Sequence, residues 1–518
     1  RVAASPLLAI TALVNRPERL LPYPRRCDAP TRLRSLSSPP PLLRFAQQER
    51  RNAIGTRTRR GGHRPGTTFG EERMTDRAGA VSGAAGGAAP SLGFTPAYRN
   101  YALFVLMLGY SANYVDRQIL AVLLEPIKLE LGVSDTMLGF LSGITFAIFY
   151  ATLGVPIAML ADRTNRRNIV AAAITIFSTM TVACGFVTSF AQLALARIGV
   201  GIGEAGSSPP SHSMISDMFP PEKRAGAMGI YSLGINIGIL IGFLVGGWVS
   251  QWYGWRAAFF VVGGPGIVIA LLVRFTLKEP SRGHADGASA QQVAAAAPGF
   301  MEVWKLLWAQ KSFRHIAFGC ATAAFSGYAG VTWIPAFLIR SFQMTPGEIG
   351  TWLALIIGFV GGAGTYVTGW LADRYGKGDV RWNLWVVAII MFLCFPFSVG
   401  MYLSSDKYWA LAMFLLPAFA GAAYIGPALA MTQGLVTLRM RAVASAVLFL
   451  ILNLIGMGLG PQAVGILSDL YNDSFGQESL RYALLTVMFV WIWAGIHFVL
   501  GARTLKDDLA RAKAHGLK

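Results

Sequence analysis

The chain has 518 residues, of which 54% are hydrophobic and only 14% charged. A soluble globular chain carries about 25% charged residues, so this composition excludes an ordinary soluble domain. It leaves room for many apolar segments of ~20 residues, the length that spans a bilayer as helix. The net charge of +19 is concentrated: residues 1–73 hold fifteen Arg, no Lys and five acids. That stretch is separable and the rest is apolar, so the basic balance does not point to a nucleic-acid partner.

Residues 1–73 are Pro-rich and lack a sustained apolar period. They read as a disordered basic leader outside the folded unit, with Met74 the expected natural start and 74–97 a short N-terminal segment. Cys27 lies in the leader; Cys184, Cys320 and Cys394 lie in apolar segments without a CxxC spacing. Neither a disulfide framework nor a metal site is suggested.

From Pro90 onward twelve apolar windows follow, near 99–123, 135–159, 168–189, 191–214, 224–250, 256–277, 313–338, 347–371, 382–402, 408–434, 441–466 and 480–502. Strand-like alternation is absent, so these are expected to cross the bilayer as helices, which satisfy their own backbone groups. Every second break is basic: "DRTNRR", "PEKR", Arg274 through Arg314, "DRYGKGDVR" and "RMR", as is the tail from 506 to 518. Basic loops stay cytoplasmic, which predicts both termini inside.

Residues 279–312 form a polar linker ending in "FMEVWKLLWAQKSF", whose aromatics and lysines suit a membrane surface. The linker separates a six-helix unit, 98–278, from a second, 313–505. "MLADRTNRR" and "WLADRYGKG" put Asp162 and Asp373 211 residues apart; "KRAGAMGI" and "MRAVASAV" put Arg224 and Arg441 217 apart. Two signals in one order at nearly one offset indicate a duplicated unit. Parallel repeats place the substrate between the halves near the midplane.

"GWLADRYGK" resembles the loop signature of the major facilitator superfamily, although Ala158 and Asn165 replace two glycines in the first copy. Together, "NYVDRQILAVLLEPIKLELGVSD" and "ARIGVGIGEAGSSPPSHSMISDMFP" resemble the Spinster family of lipid transporters. The resemblance spans about 95 to 505. It implies an all-α membrane protein with two pseudo-symmetric six-helix bundles and alternating access to a lipid-like substrate such as sphingosine-1-phosphate or a lysophospholipid. A bacterial inner-membrane monomer, in contact with its lipid bilayer, is the expected form. The resemblance also implies a cytoplasmic gate of Asp162, Arg163, Arg166, Arg224, Asp373, Arg374 and Arg441. In it, each Asp faces the start of a helix in the other half, where the helix dipole favours an anion.

Charges within the windows carry the functional reading. A charge at mid-bilayer costs about 2.5–3.5 kcal/mol. Asp116 and Arg117 are adjacent, but successive helical residues point ~100° apart, so neither neutralises the other. Arg197 and Glu204, seven residues apart, share a face of the fourth helix. At 1.5 Å per residue Asp116 stands roughly 22 Å above the inner end and Arg197 roughly 9 Å below the outer end of a core ~30 Å thick. An Asp116–Arg197 contact is therefore expected, with Arg117 reaching Glu204 in some conformations. Substrate phosphate on Arg117 or Arg197 would free a carboxylate to take a proton, making the proton the expected coupling ion with no metal or cofactor.

The second half offers Tyr328, Thr332, Trp333, Tyr424, Thr432, Gln433 and Asn453 as candidate cavity residues among many apolar side chains. A charged half facing an apolar, aromatic one suits an amphipathic ligand. Gly234, Gly238, Gly242 and Gly246 repeat at the spacing of close helix packing. The antiporter motif they resemble has Pro where Phe243 stands. An enzyme is not expected: no GxSxG, HExxH or phosphate loop lies in a suitable context, and His212 and His315 read as isolated polar contacts. The alternative within transporters is a proton-driven carrier of a smaller organic anion or a drug.

Overall fold

The computed structural model describes residues 94–282 and 299–514, so the leader and the middle of the linker lie outside the described residues. Among the described residues the fold is helical without strands. Helix α1 runs Pro96–Leu131, α2 Asp135–Ser142, α3 Ile144–Arg163, α4 Arg166–Cys184, α5 Phe190–Ala205, α6 Ser208–Met218 and α7 Pro221–Thr276. After the linker come α8 Phe300–Ala309, α9 Lys311–Phe342, α10 Pro346–Leu353, α11 Gly361–Gly376, α12 Trp382–Leu403, α13 Lys407–Ala420, α14 Ile425–Gly434, α15 Arg441–Ile451, α16 Gly460–Phe475 and α17 Ser479–Ala514. Two π-helical pieces, Ala354–Val360 and Leu452–Leu459, join α10 to α11 and α15 to α16.

Polar residues at the breaks set the helix ends. Thr95 accepts the amide of Tyr98 ahead of Pro96, and Ser134, Asn165, Ser189, Thr345 and Asp406 cap α2, α4, α5, α10 and α13 in the same way. Gly132, at φ 62°, closes α1 in the left-handed conformation.

Among the described residues, eight helical stretches are long and apolar enough to cross a membrane, and two of them, of 56 and 74 residues, are each long enough to cross twice. The 56-residue stretch is α7. Straight, it would be roughly 84 Å long, but Gly254 at φ 82° and ψ 164° turns the chain back. With α1, whose charges interrupt its apolar face, and the broken pair α5–α6, the number of crossings agrees with the twelve windows. The amphipathic linker piece folds as α8, with Trp304 and Trp308 stacked 5.5 Å apart.

Antiparallel succession puts the start of α1 and the end of α17 on one face, here the terminal face. The halves are joined at the opposite, distal face. There α2 packs on α16, α10 packs on the middle of α7, and α3 packs on the Leu452–Leu459 segment. Glycines permit these crossings: a Cβ on Gly139 would stand 2.8 Å from Pro461 O, and one on Gly465 2.9 Å from the Asp135 carbonyl carbon. Toward the terminal face, a Cβ on Gly154, Gly226, Gly229, Gly369 or Gly426 would meet nothing within 4 Å. The four-residue glycine repeat of α7 serves contact within its own half. Gly234 and Gly238 lie against Met107 and Ser111 of α1, while Gly242 and Gly246 lie against Val115, Gln118 and Ile119.

Candidate functional site

Asp116 and Arg117 sit in the middle of α1, and Arg197 and Glu204 on one face of α5. All but Arg117 are at most 2% exposed. Arg197 donates to Asp116 Oδ2 at 2.6 Å, and Thr181 of α4 donates to Asp116 Oδ1 at 2.5 Å. Arg117 Nε donates to Glu204 Oε2 at 2.7 Å. The adjacent Asp and Arg thus diverge as helical geometry requires, each to a different level of α5. Two cations and two anions make a neutral set, so pairing offsets the desolvation cost of burying each charge.

Three rings surround the Arg117 guanidinium: Tyr150 at 4.8 Å, Phe146 at 4.9 Å and Tyr114 at 5.3 Å. Phe146 also faces Arg197 at 5.9 Å. Asn113, one turn before Arg117, donates to Ser207 at 2.6 Å and ties α1 to the break between α5 and α6. Saturation is incomplete. Glu204 Oε1, Arg197 Nε and Asn113 Oδ1 are buried without a protein partner, so each has room to accept or donate one further hydrogen bond.

These groups border a small cavity between the halves. Tyr114, Arg117, Gln118, Ser142, Phe146 and Arg197 line it from the first half, and Tyr328, Val331, Thr332 and Met457 from the second. Its volume is ≈ 60 Å³, several times the ~10–15 Å³ that holds one water. It lies where the α3 crossing on Leu452–Leu459 seals the distal side.

Of the seven expected cavity residues in the second half, Tyr328 and Thr332 are there. The structure places the others away from this cavity. Trp333, fully buried, donates to Pro461 O at 2.9 Å and serves the α9–α16 contact. Tyr424 packs in the apolar core of the second half beside Phe498. Thr432 is fully buried, and Gln433 donates to Ser445 at 2.9 Å. Asn453 is half-buried within the π-helical piece. Periodicity alone did not separate cavity-facing from core-facing positions.

The expected gate residues are spread over the terminal face. Arg163, Arg374 and Arg441 are exposed. Asp373 lines a surface pocket with Trp370, Arg374, Tyr375 and Lys377, all of its own half. Arg224 donates to Ser216 O at 2.8 Å, also within its half. The side chain of Asp162 lies outside the described residues. Arg166 differs from the expectation: it is 1% exposed and ties the first half to the start of the linker. It pairs with Asp217 of α6 and binds Glu279 at 2.7 Å, Ser213 at 2.7 Å and Pro280 O at 2.7 Å. Nor is His315 isolated, since its Nδ1 is 3.0 Å from Nδ1 of His497.

The sequence reading missed the group that joins the halves. At the distal end of α9, Arg340 forks onto Asp135 at 2.6 and 2.7 Å and reaches Glu125 of α1 at 2.8 Å. Lys128 and Ser468 also hold Asp135, at 2.7 and 2.6 Å. Asp469 of α16 accepts the backbone amides of Asp135 and Thr136 at 3.1 and 2.7 Å, capping the start of α2 from the opposite half. The detectable signal was an Arg in the last turn of an apolar helix facing acids at two outer helix ends.

The Major Facilitator Superfamily profile matches residues 106–461. An MFS-type efflux pump of Mycolicibacterium smegmatis is 35% identical over 80% of this chain and 95% of its own. The sphingosine-1-phosphate transporter SPNS2 of Mus musculus is 28% identical over 79% of this chain and 78% of its own. Among solved structures, a bacterial homolog to the human lysosomal transporter Spinster, in an inward-facing and unoccupied conformation, matches with a TM-score of 0.73. It is 30% identical over 80% of this chain and 99% of that chain. The chain belongs to the Major Facilitator Superfamily of membrane transporters, among the relatives of Spinster.

Proposed function

We propose that the chain is a secondary active transporter that moves an amphipathic, phosphate-bearing lipid by alternating access, coupled to protons. The observation that carries this reading is the pair of buried ion pairs, Asp116–Arg197 and Arg117–Glu204, bordering a cavity between the halves. The phosphate engages Arg197 or Arg117, and the acyl chain lies along the apolar second half. A buried carboxylate that loses its cation favours its neutral form, so Asp116 or Glu204 takes a proton when its arginine turns to the substrate. Neutralisation lowers the cost of moving that carboxylate across the interface. The protein does no covalent chemistry and needs no cofactor; the proton is the coupling ion.

The distal closure and the open terminal half fit an inward-open state in a bacterial inner membrane, with the basic loops and both termini cytoplasmic. The distal cluster around Arg340 holds this state. The gate of Asp162, Arg163, Arg224, Asp373, Arg374 and Arg441 closes the inner face in the opposite state, and the chain acts as a monomer.

The 35% identity to an efflux pump favours a second reading, a proton-driven carrier of a drug or a smaller organic anion. A binding screen on purified protein decides between them. Saturable binding of sphingosine-1-phosphate or a lysophospholipid, with no binding of sugar phosphates, supports the lipid reading. The reverse ranking sinks it.

A further inference from the structure

Arg117 does not simply face a carboxylate. Its guanidinium stands inside three aromatic rings from two helices, at 4.8–5.3 Å, with Glu204 at 2.7 Å on the remaining side. Rings within about 6 Å of a cation, closed by an acid, are the chemistry that recognises organic ammonium groups. The cage is built: Phe146 and Tyr150, one turn apart on α3, stack at 5.5 Å with 17° between their planes, and Tyr114 of α1 adds the third wall. It opens onto the inter-half cavity, because Tyr114, Arg117 and Phe146 line that cavity opposite Tyr328. One oxygen of Glu204 is spent on Arg117, while the other is fully buried with no protein partner.

We infer that Tyr114, Phe146, Tyr150 and Glu204 form a subsite for the ammonium group of the substrate, which Arg117 occupies in this state as an internal stand-in. The inference rests on the reading of the charged cavity as the head-group site, and it narrows the substrate class to amphiphiles that carry an organic cation. A zwitterionic head group uses both parts. Its phosphate draws Arg117 out of the cage, and its ammonium takes the vacated place against Glu204. The pairing is exchanged without leaving a bare carboxylate. A purely anionic amphiphile lacks the replacement cation and leaves Glu204 to be neutralised by a proton. The same cage serves a cationic drug, which shares the ammonium but not the phosphate.

The test measures binding of decylphosphocholine, decyl phosphate and decyltrimethylammonium to the full chain in lipid nanodiscs, corrected with empty discs. The expected result is that decylphosphocholine binds about tenfold tighter than decyl phosphate, as one or two cation–π contacts would give. Tyr150→Leu and Glu204→Gln should abolish that advantage, and Tyr150→Phe, which keeps the ring, should retain it. An unchanged elution profile and melting temperature show that Tyr150→Leu is folded. Equal wild-type affinity for the two phosphates, or an advantage that survives Tyr150→Leu, overturns the subsite. Binding of decyltrimethylammonium without decyl phosphate sinks the phosphate reading instead, keeps the cage and points to a cationic drug as its occupant.

Discussion

Replacing Arg340 with Gln should release the distal face. Arg340 belongs to α9, whereas both of its partners, Glu125 and Asp135, belong to the first half. Its side chain is only 11% exposed, so its contacts are poorly screened. The substitution leaves Lys128 on Asp135 but removes the cation from Glu125, which is 8% exposed. Breaking a buried ion pair costs about 3–5 kcal/mol. With Asp135 still paired, the lower end applies, and about 3 kcal/mol is roughly a hundredfold in the ratio of closed to open distal states. The cost falls on the closed state alone, because the open state has already separated these groups. Spin labels at Leu129→Cys and Asn472→Cys, exposed positions on opposite halves of that face, report the ratio as a distance distribution. A longer-distance population should appear in Arg340→Gln. A distribution identical to that of the parent protein, in a variant of unchanged thermal stability, would refute the assignment of Arg340 as the distal lock.

Asp116→Asn strands the Arg197 cation at a site 2% exposed. The folded state should lose about 3–5 kcal/mol, seen as a lower melting temperature, and Asp116→Asn with Arg197→Gln should recover much of the loss. Gly139→Val drives a Cβ into Pro461 O and should add a longer-distance population between labels at Leu129→Cys and Asn472→Cys without lowering expression. On the terminal face, Arg381 and Lys506 hold the Asp379 carboxyl well below the usual carboxylate range by direct hydrogen bonds. A depressed carboxyl contributes stability above its unfolded value, near 4, and loses it as pH falls through the lower folded value. Amide exchange at the end of α17 should therefore not respond to pH between 8 and 5 through this group. It should rise in Asp379→Asn at neutral pH.

Much of this architecture was legible because the bilayer imposes simple rules. Twelve windows could be counted from hydropathy, and the rise per residue sufficed to put Asp116 level with Arg197. The distal lock was illegible for a related reason. Glu125, Asp135, Arg340 and Asp469 sit at the ends of windows, where any charge satisfies topology. Only the crossing of α2 on α16 and the position of α9 bring them together. The aromatic cage was equally hidden. Phe146 and Tyr150 lie in an apolar run in which packing explains every ring, and their role depends on the side of α3 that meets Arg117. Arg166 misled because the loop signature suggests a gate between halves, whereas its position at the first turn of α4 points it inward to Asp217 and Glu279. Trp333 and Tyr424 face the packing of their own half, Trp333 donating to Pro461 O and Tyr424 lying beside Phe498, because a polar atom on an apolar helix does not by itself mark a cavity.

Proton coupling through the buried ion pairs is tested most directly in proteoliposomes loaded with a fluorescent lysophosphatidic acid, an anionic amphiphile that brings no ammonium to replace Arg117 at Glu204, under an imposed pH gradient. A gradient should accelerate movement of the lipid by the wild-type protein. In Glu204→Gln movement continues with that acceleration greatly reduced, since a permanently neutral side chain neither binds nor releases the proton. Movement that ignores the gradient in the wild type, or that responds to it in Glu204→Gln as strongly as in the wild type, would contradict this coupling.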